Sequence, residues 1–215
     1  MSRFDLSARV IITVVLFALL SASCSPPFDR SVTVEQIYSE TIFCNYASEG
    51  YSFPKISQCA EERETVEGWQ DYCSSNSPLT INRETFSGFL SSEDWEWVAK
   101  KFLTMKQETW DNFIAVNALP ETVSSNMNFG CPYRLASFDD YLVMAEGRTD
   151  QTPAPYFPWP VIILSKVGFD DEHKQATLFL SWLCYDVECG YSSLYFLEYD
   201  NGKWNVVGAT TLAIY

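Results

Sequence analysis

Histidine is nearly missing from this chain: His173 is the only one in 215 residues. Most proton transfer, metal ligation and nucleophile activation near neutral pH uses imidazole, so its scarcity narrows the chemistry sharply. His173 stands in Asp170-Asp171-Glu172-His173-Lys174, a charged stretch that reads as a solvated turn. A Ser-His-Asp triad would want that histidine beside an activated serine, and no G-x-S-x-G elbow is present. Glycine-rich phosphate loops are absent as well. Zinc sites need about four ligands at recognisable spacing, and Cys184 with Cys189 lacks a second pair. The oxygen-rich stretches Asp170-Asp171-Glu172 and Asp200-Asn201-Gly202 lack the alternation a calcium loop requires. No metal, cofactor or catalytic residue is therefore expected.

Basic residues are few. Lysine and arginine total 14 against 28 aspartates and glutamates, for a net charge of −14. Nucleic-acid affinity depends on cations that displace phosphate counterions, so a nucleic-acid partner is excluded. Acidity of this degree favours solubility first and a basic partner second.

Long apolar runs are also lacking. Residues 10–20 (VIITVVLFALL) make eleven positions without a charge, short of the roughly 20 a membrane-crossing helix needs. Arg3 and Arg9 flank a short polar start before this run, with Asp5 between them, and Ser21-Ala22-Ser23-Cys24 follows it. A positive start, a short apolar stretch and small residues form a secretory signal. The run Leu-Leu-Ser-Ala-Ser-Cys resembles a lipoprotein signal, with Cys24 lipidated, although Ser21 stands where leucine is usual. Ordinary cleavage near Ser23 is the competing reading. Cysteine arithmetic favours the lipoprotein: of seven cysteines, setting Cys24 aside leaves an even six, suited to an oxidising compartment. Without Arg3, Arg9 and Asp5, 12 basic side chains face 27 acidic ones.

The rest reads as a tether over 24–32 and one α+β domain over 33–215, helical across 33–120 and β-rich across 132–208. Thr33 and Gln36 have capping-box spacing, with Val34, Ile37, Tyr38, Thr41, Ile42 and Tyr46 at helical intervals. A second helix is expected over 60–73, and 76–82 as a turn or extended connection. Ser92 is expected to cap a third helix carrying Trp95, Val98, Phe102 and Met105. Thr109 is expected to cap a fourth with Trp110, Phe113 and Ile114 inward, closed by Leu119-Pro120. Strands are expected over 141–146, 161–169, 175–185, 191–199 and 204–207. The turns between the last four are Asp170-Asp171-Glu172, 188–190 and Asp200-Asn201-Gly202, the last holding a strong Asn-Gly hairpin signal. Helices first and an antiparallel meander afterwards make an α+β domain of helices packed on the meander and stapled by disulfides.

That layout constrains the staples. Along one helix over 60–73, Cys59 and Cys73 would stand roughly 20 Å apart, against the about 7 Å a disulfide allows between Cα atoms. Cys44 at the end of one helix and Cys59 at the start of the next would meet if the two run antiparallel. Cys184 and Cys189 straddle a hairpin turn, which leaves Cys73 with Cys131.

Two strings of residues form a larger pattern. One is Ser165-Lys166-Val167-Gly168-Phe169, then Gln175-Ala176, Cys184, Cys189-Gly190 and Gly202-Lys203-Trp204; the other is Thr109-Trp110-Asp111-Asn112-Phe113 with Asn117 beyond. Together they resemble a pattern in uncharacterised exported bacterial proteins, covering about half the chain. Tyr191-Ser192 stands where that pattern has a second glycine after Cys189-Gly190. The resemblance implies fold and location and lends no activity.

Two features could still meet a partner. Residues 152–160 (TPAPYFPWP) alternate prolines with Tyr156, Phe157 and Trp159, the composition of a contact-making loop; the blander reading is a crossover folding these aromatics onto the sheet. Abundant carboxylates and seven tryptophans leave room for a glycan-directed hydrolase built on a carboxylate pair, without any specific signal for one. The expectation is an exported, lipid-anchored, non-enzymatic envelope domain with structural or binding function. Its partners would be the membrane, through lipid on Cys24, and a basic protein or glycan.

Overall fold

In the computed structural model the described residues are 30–47, 78–88, 90–129, 131–137, 139–140, 161–183 and 190–214. The chain divides into compact units Met1–Thr33 and Val34–Tyr215. Of the first, only residues 30–33 are described, and they open a helix. Among the described residues the second is an α+β arrangement of three helices and one mixed sheet of seven strands. The helices are α1 (Arg30–Ala47), α2 (Trp95–Lys101) and α3 (Gln107–Val116). The strands are β1 (Leu79–Asn82), β2 (Tyr133–Ala136), β3 (Val161–Leu164), β4 (Gly168–Phe169), β5 (Gln175–Leu183), β6 (Tyr191–Asp200) and β7 (Lys203–Ile214).

Strand order is β2-β1-β3-β5-β6-β7, with β4 paired to β5. From β3 onward the pairs are antiparallel, as the turn signals predict. Asn201 and Gly202 take φ values of 52° and 82°, the double positive φ that a tight two-residue hairpin requires. Strand β7 runs to Ile214, well past the expected end at Val207, with register shifts against β6 at Ser192/Ser193 and Phe196/Leu197.

The other half of the sheet corrects the expectation of a pure meander. Leu79–Asn82, expected as a connection within a helical region, is a strand parallel to both β2 and β3. Leu79, Thr80 and Ile81 are all buried, as a short strand inserted between two others must be. A parallel partner cannot be a hairpin neighbour, so nothing local in the sequence announces the pairing. The helices do not form one N-terminal layer either. Successive strand residues face opposite sides of a sheet, and β5 sends Ala176, Leu178 and Leu180 into one apolar cluster and Phe179 into another. Ile37, Tyr38 and Ile42 of α1 join the first cluster; Val98 of α2 and Trp110 and Phe113 of α3 join the second.

Three expected caps shift. Thr33 lies inside α1, which begins at Arg30. Ser91, not Ser92, opens the third helical segment: its hydroxyl accepts from Glu93 N, and Asp94 Oδ2 accepts from Ser91 N at 2.7 Å. This capping box starts a 3-10 turn (Ser92–Asp94) that leads into α2. Helix α2 ends at Lys101, so Phe102 and Met105 are buried from the following turn rather than from the helix. Thr109 lies inside α3, whose N-cap is Lys106, and its hydroxyl faces the sheet. The helix expected over 60–73, the strand over 141–146, the segment 152–160 and the turn 184–189 lie outside the described residues.

Helix α3 lies unusually close to β4. A Cβ at Gly168 would fall on the Phe113 backbone, about 2.6 Å from its nitrogen. Only glycine leaves room. Trp110, fully buried and stacked on Phe113 at 5.3 Å, has an indole N–H with no hydrogen-bond partner among the described residues. Two outcomes follow for urea unfolding. Gly168→Ala costs about 3 kcal/mol or more, because backbone must move rather than a side-chain tip. Trp110→Phe costs under about 1.5 kcal/mol, since it deletes an unsatisfied donor while keeping most of the apolar bulk, whereas Trp110→Ala costs about 3–5 kcal/mol.

Candidate functional site

The densest polar constellation among the described residues lies where the start of α3 meets the β4–β5 turn. Gln175, the first residue of β5, uses every hydrogen-bonding position of its amide. Its Oε1 accepts from Lys106 N at 2.8 Å and from Thr109 Oγ1 at 3.3 Å. Its Nε2 donates to Thr104 O at 2.8 Å and to Glu198 Oε1 at 3.3 Å. Asp170, directly after β4, has a side chain with no exposed surface. Its Oδ1 accepts from Lys174 N at 2.6 Å and Gln175 N at 2.8 Å, and its Oδ2 from Lys106 Nζ at 2.8 Å. The Asp170 carboxylate thus shapes the turn and reaches the residue that caps α3.

The far end of the helix is tied by two asparagines. Residues 165–167 leave the regular ladder between β3 and β4, and side chains take over part of the pairing. Asn112 Oδ1 accepts from Phe169 N at 2.9 Å. Asn117 Oδ1 accepts from Lys166 N at 2.8 Å, while its Nδ2 donates to Lys166 O at 3.0 Å and Phe113 O at 2.9 Å. Ser165 Oγ accepts from Phe179 N at 2.8 Å, and Ser165 O accepts from the Tyr38 hydroxyl at 2.8 Å. The strings 109–117 and 165–175, separate in sequence, therefore meet in one clasp.

Its electrostatics favour permanence over proton exchange. Burial alone would raise the Asp170 carboxyl, but the hydrogen bond from Lys106 and those from Gln175 N and Lys174 N outweigh it and hold the group below the ordinary carboxylate value. Lys106 is held above the ordinary lysine value by the same hydrogen bond. Burial, with Glu121 adding to it, pushes the Tyr38 phenol up, so it stays a neutral donor. A general acid near neutral pH needs a raised carboxyl, and Asp170 is displaced the other way. Asp170 and Glu198 converge on Gln175, yet both Asp170 oxygens are already occupied.

The residues singled out from the sequence stand elsewhere. Cys24, Cys59, Cys73, Cys184, Cys189, Tyr156, Phe157 and Trp159 lie outside the described residues, and Cys44 is placed in α1 by its backbone alone. Cys131 is disulfide-bonded, and its partner is not among the residues whose side chains are described. His173 does sit in the β4–β5 turn, at φ 53°. It is half-buried rather than fully solvated, with its ring 5.6 Å from Phe169. No group of three or more metal-ligating side chains occurs among the described residues. Asp170, Gln175 and Lys106 were not anticipated, because a buried acid in a charged turn has the same local sequence as an exposed one.

The sign of the Asp170 displacement sets its pH dependence. A lowered folded pKa means stabilisation that is complete above the unfolded value of about 4 and lost as pH falls through the folded value. Asp170→Ala should cost about 2–3 kcal/mol near neutral pH, by leaving three donors without their acceptor. Urea unfolding of wild type and variant should show that difference shrinking below about pH 4. Lys106→Met should destabilise in the same direction, with a loss that fades as pH rises through the elevated lysine pKa.

No protein-family model matches the chain, and no curated protein or solved structure matches it either.

Proposed function

We propose that the chain is an exported, lipid-anchored envelope domain whose role is structural or binding rather than catalytic. The observation that carries this reading is how the polar side chains of the α3–sheet contact are used, of which Asp170, Gln175 and Asn117 are buried and Asn112 is exposed. Asp170, Gln175, Asn112 and Asn117 each bond to backbone or to a partner across the α3–sheet contact. Such fully connected networks rigidify a fold and leave little polar chemistry for substrate. The secretory pattern ending at Cys24 and the even set of remaining cysteines support the location. Cys44–Cys59, Cys73–Cys131 and Cys184–Cys189 are the proposed bridges. The acidic surface suits a basic protein or a glycan partner, with Tyr156, Phe157 and Trp159 as the proposed contact residues, and it disfavours nucleic acid.

Intact mass of the protein recovered from membranes tests the reading. The expected species begins at Cys24, carries acyl mass there, and opens three bridges with reductant. An uncleaved, fully reduced chain in the cytosol would end it.

A further inference from the structure

The β1–β2 edge of the sheet has little of its own to hold it. Strand β1 pairs with β2 over four residues and with β3 over two. Leu79 faces Tyr133 and Thr80 faces Val161, each more than fifty residues away. Parallel neighbours are never joined by a tight turn, so each pairing costs the closure entropy of a long loop. The antiparallel strands differ. Strands β5, β6 and β7 follow one another along the chain and pair over eight and ten positions, so they close without a distant tie.

Cys131 stands at the mouth of the weak edge, and it is disulfide-bonded. The carbonyl of Pro132, directly after it, accepts from Leu79 N at 2.9 Å, at the first residue of β1. Two residues before it, fully buried Phe129 lies edge-on to Tyr133 at 4.7 Å and 5.9 Å from the Tyr38 ring of α1. Cys131 is itself half-buried and packs against the apolar cluster that holds Leu79, Ile81, Tyr38 and Phe129. The bridge therefore enters the fold where α1, β1 and β2 meet.

We infer that the bridge at Cys131 is a redox switch on this edge: β1 and β2 join stably only once it has closed. Cys73, the partner proposed above, stands six residues ahead of Leu79, and Cys131 stands two ahead of Tyr133. Parallel strands start side by side, so a tie between their two approaches brings the starts together in the orientation the ladder needs. Closure turns two thiols into one disulfide and passes two electrons and two protons to a disulfide oxidant, which leaves as two thiols. The switch rests on the exported reading above, because such an oxidant acts outside the reducing cytosol. In a reducing compartment the meander forms while the β1–β2 edge stays open.

Hydrogen–deuterium exchange of the oxidised full-length protein is the test, beside a Cys131→Ser variant and a Cys73→Ser/Cys131→Ser variant that leaves no orphan thiol from the proposed pair. Amides of 79–82 and 133–136 should exchange at least about thirtyfold faster in both variants, the lower end of what a bridge over so long a loop contributes. Amides of 176–182 and 192–206 should keep their protection. Dithiothreitol should open the same edge in wild type, and reoxidation by glutathione disulfide should close it. Unchanged exchange over 79–82 in Cys131→Ser overturns the inference. So does an equal loss across the meander, which would make the bridge a general staple. The two readings fail separately: a bridged Cys131 in protein taken from cells, with unchanged exchange in the variants, sinks only the switch. A free Cys131 thiol in cells, with the thirtyfold difference intact in oxidised protein, sinks only the location.

Discussion

The contact between α3 and β4 holds the described structure together. Strand β4 is only two residues long and pairs with β5 through Gly168 and Phe169, too little to fix its own position. Its position follows from the helix lying directly on it, which only a residue without a side chain permits. Close approach removes water from the groups at both ends, so each must find a partner within the protein. The asparagines at one end and the Asp170–Lys106–Gln175 set at the other supply those partners. Gln175 then carries the constraint onward to Glu198 in β6 and to the turn before α3. Removing one member strands the rest, so the network holds or fails as a unit.

The antiparallel half of the sheet was legible because its signals are local. Asn201-Gly202 names its own turn, and the apolar length of β5 marks a strand covered on both faces. The inward residues of α3 follow helical spacing, and Trp110 and Phe113 are buried as that spacing predicts. Strands β1 and β2 were not legible. Their partners lie more than fifty residues away, as the pairing of Leu79 with Tyr133 shows, and four residues of Leu-Thr-Ile-Asn look the same in a connection. Thr109 was misread for a related reason: a threonine near a helix start looks like a cap, whereas here its hydroxyl serves Gln175 from within the first turn. Charged turns hide buried acids in the same way, and Asp170 stayed out of sight beside exposed Asp171 and Glu172.

The two strings at 109–117 and 165–175 acquire a physical meaning from this arrangement. Asn112, Asn117, Gly168 and Gln175 are the residues through which helix and sheet grip each other. A pattern of this kind marks a way of closing a fold, and chains with different surfaces could share it. Identity of function has to be sought on the outside, among side chains that take no part in this grip.

The parallel placement of β1 also sets an order of assembly. Both of its neighbours, β2 and β3, are made after it, so Thr80 and Ile81 cannot be flanked on both sides until Val161 and Ile162 have been made. Contacts of such long reach slow folding, and a polypeptide that closes its sheet late stays threadable for most of its synthesis.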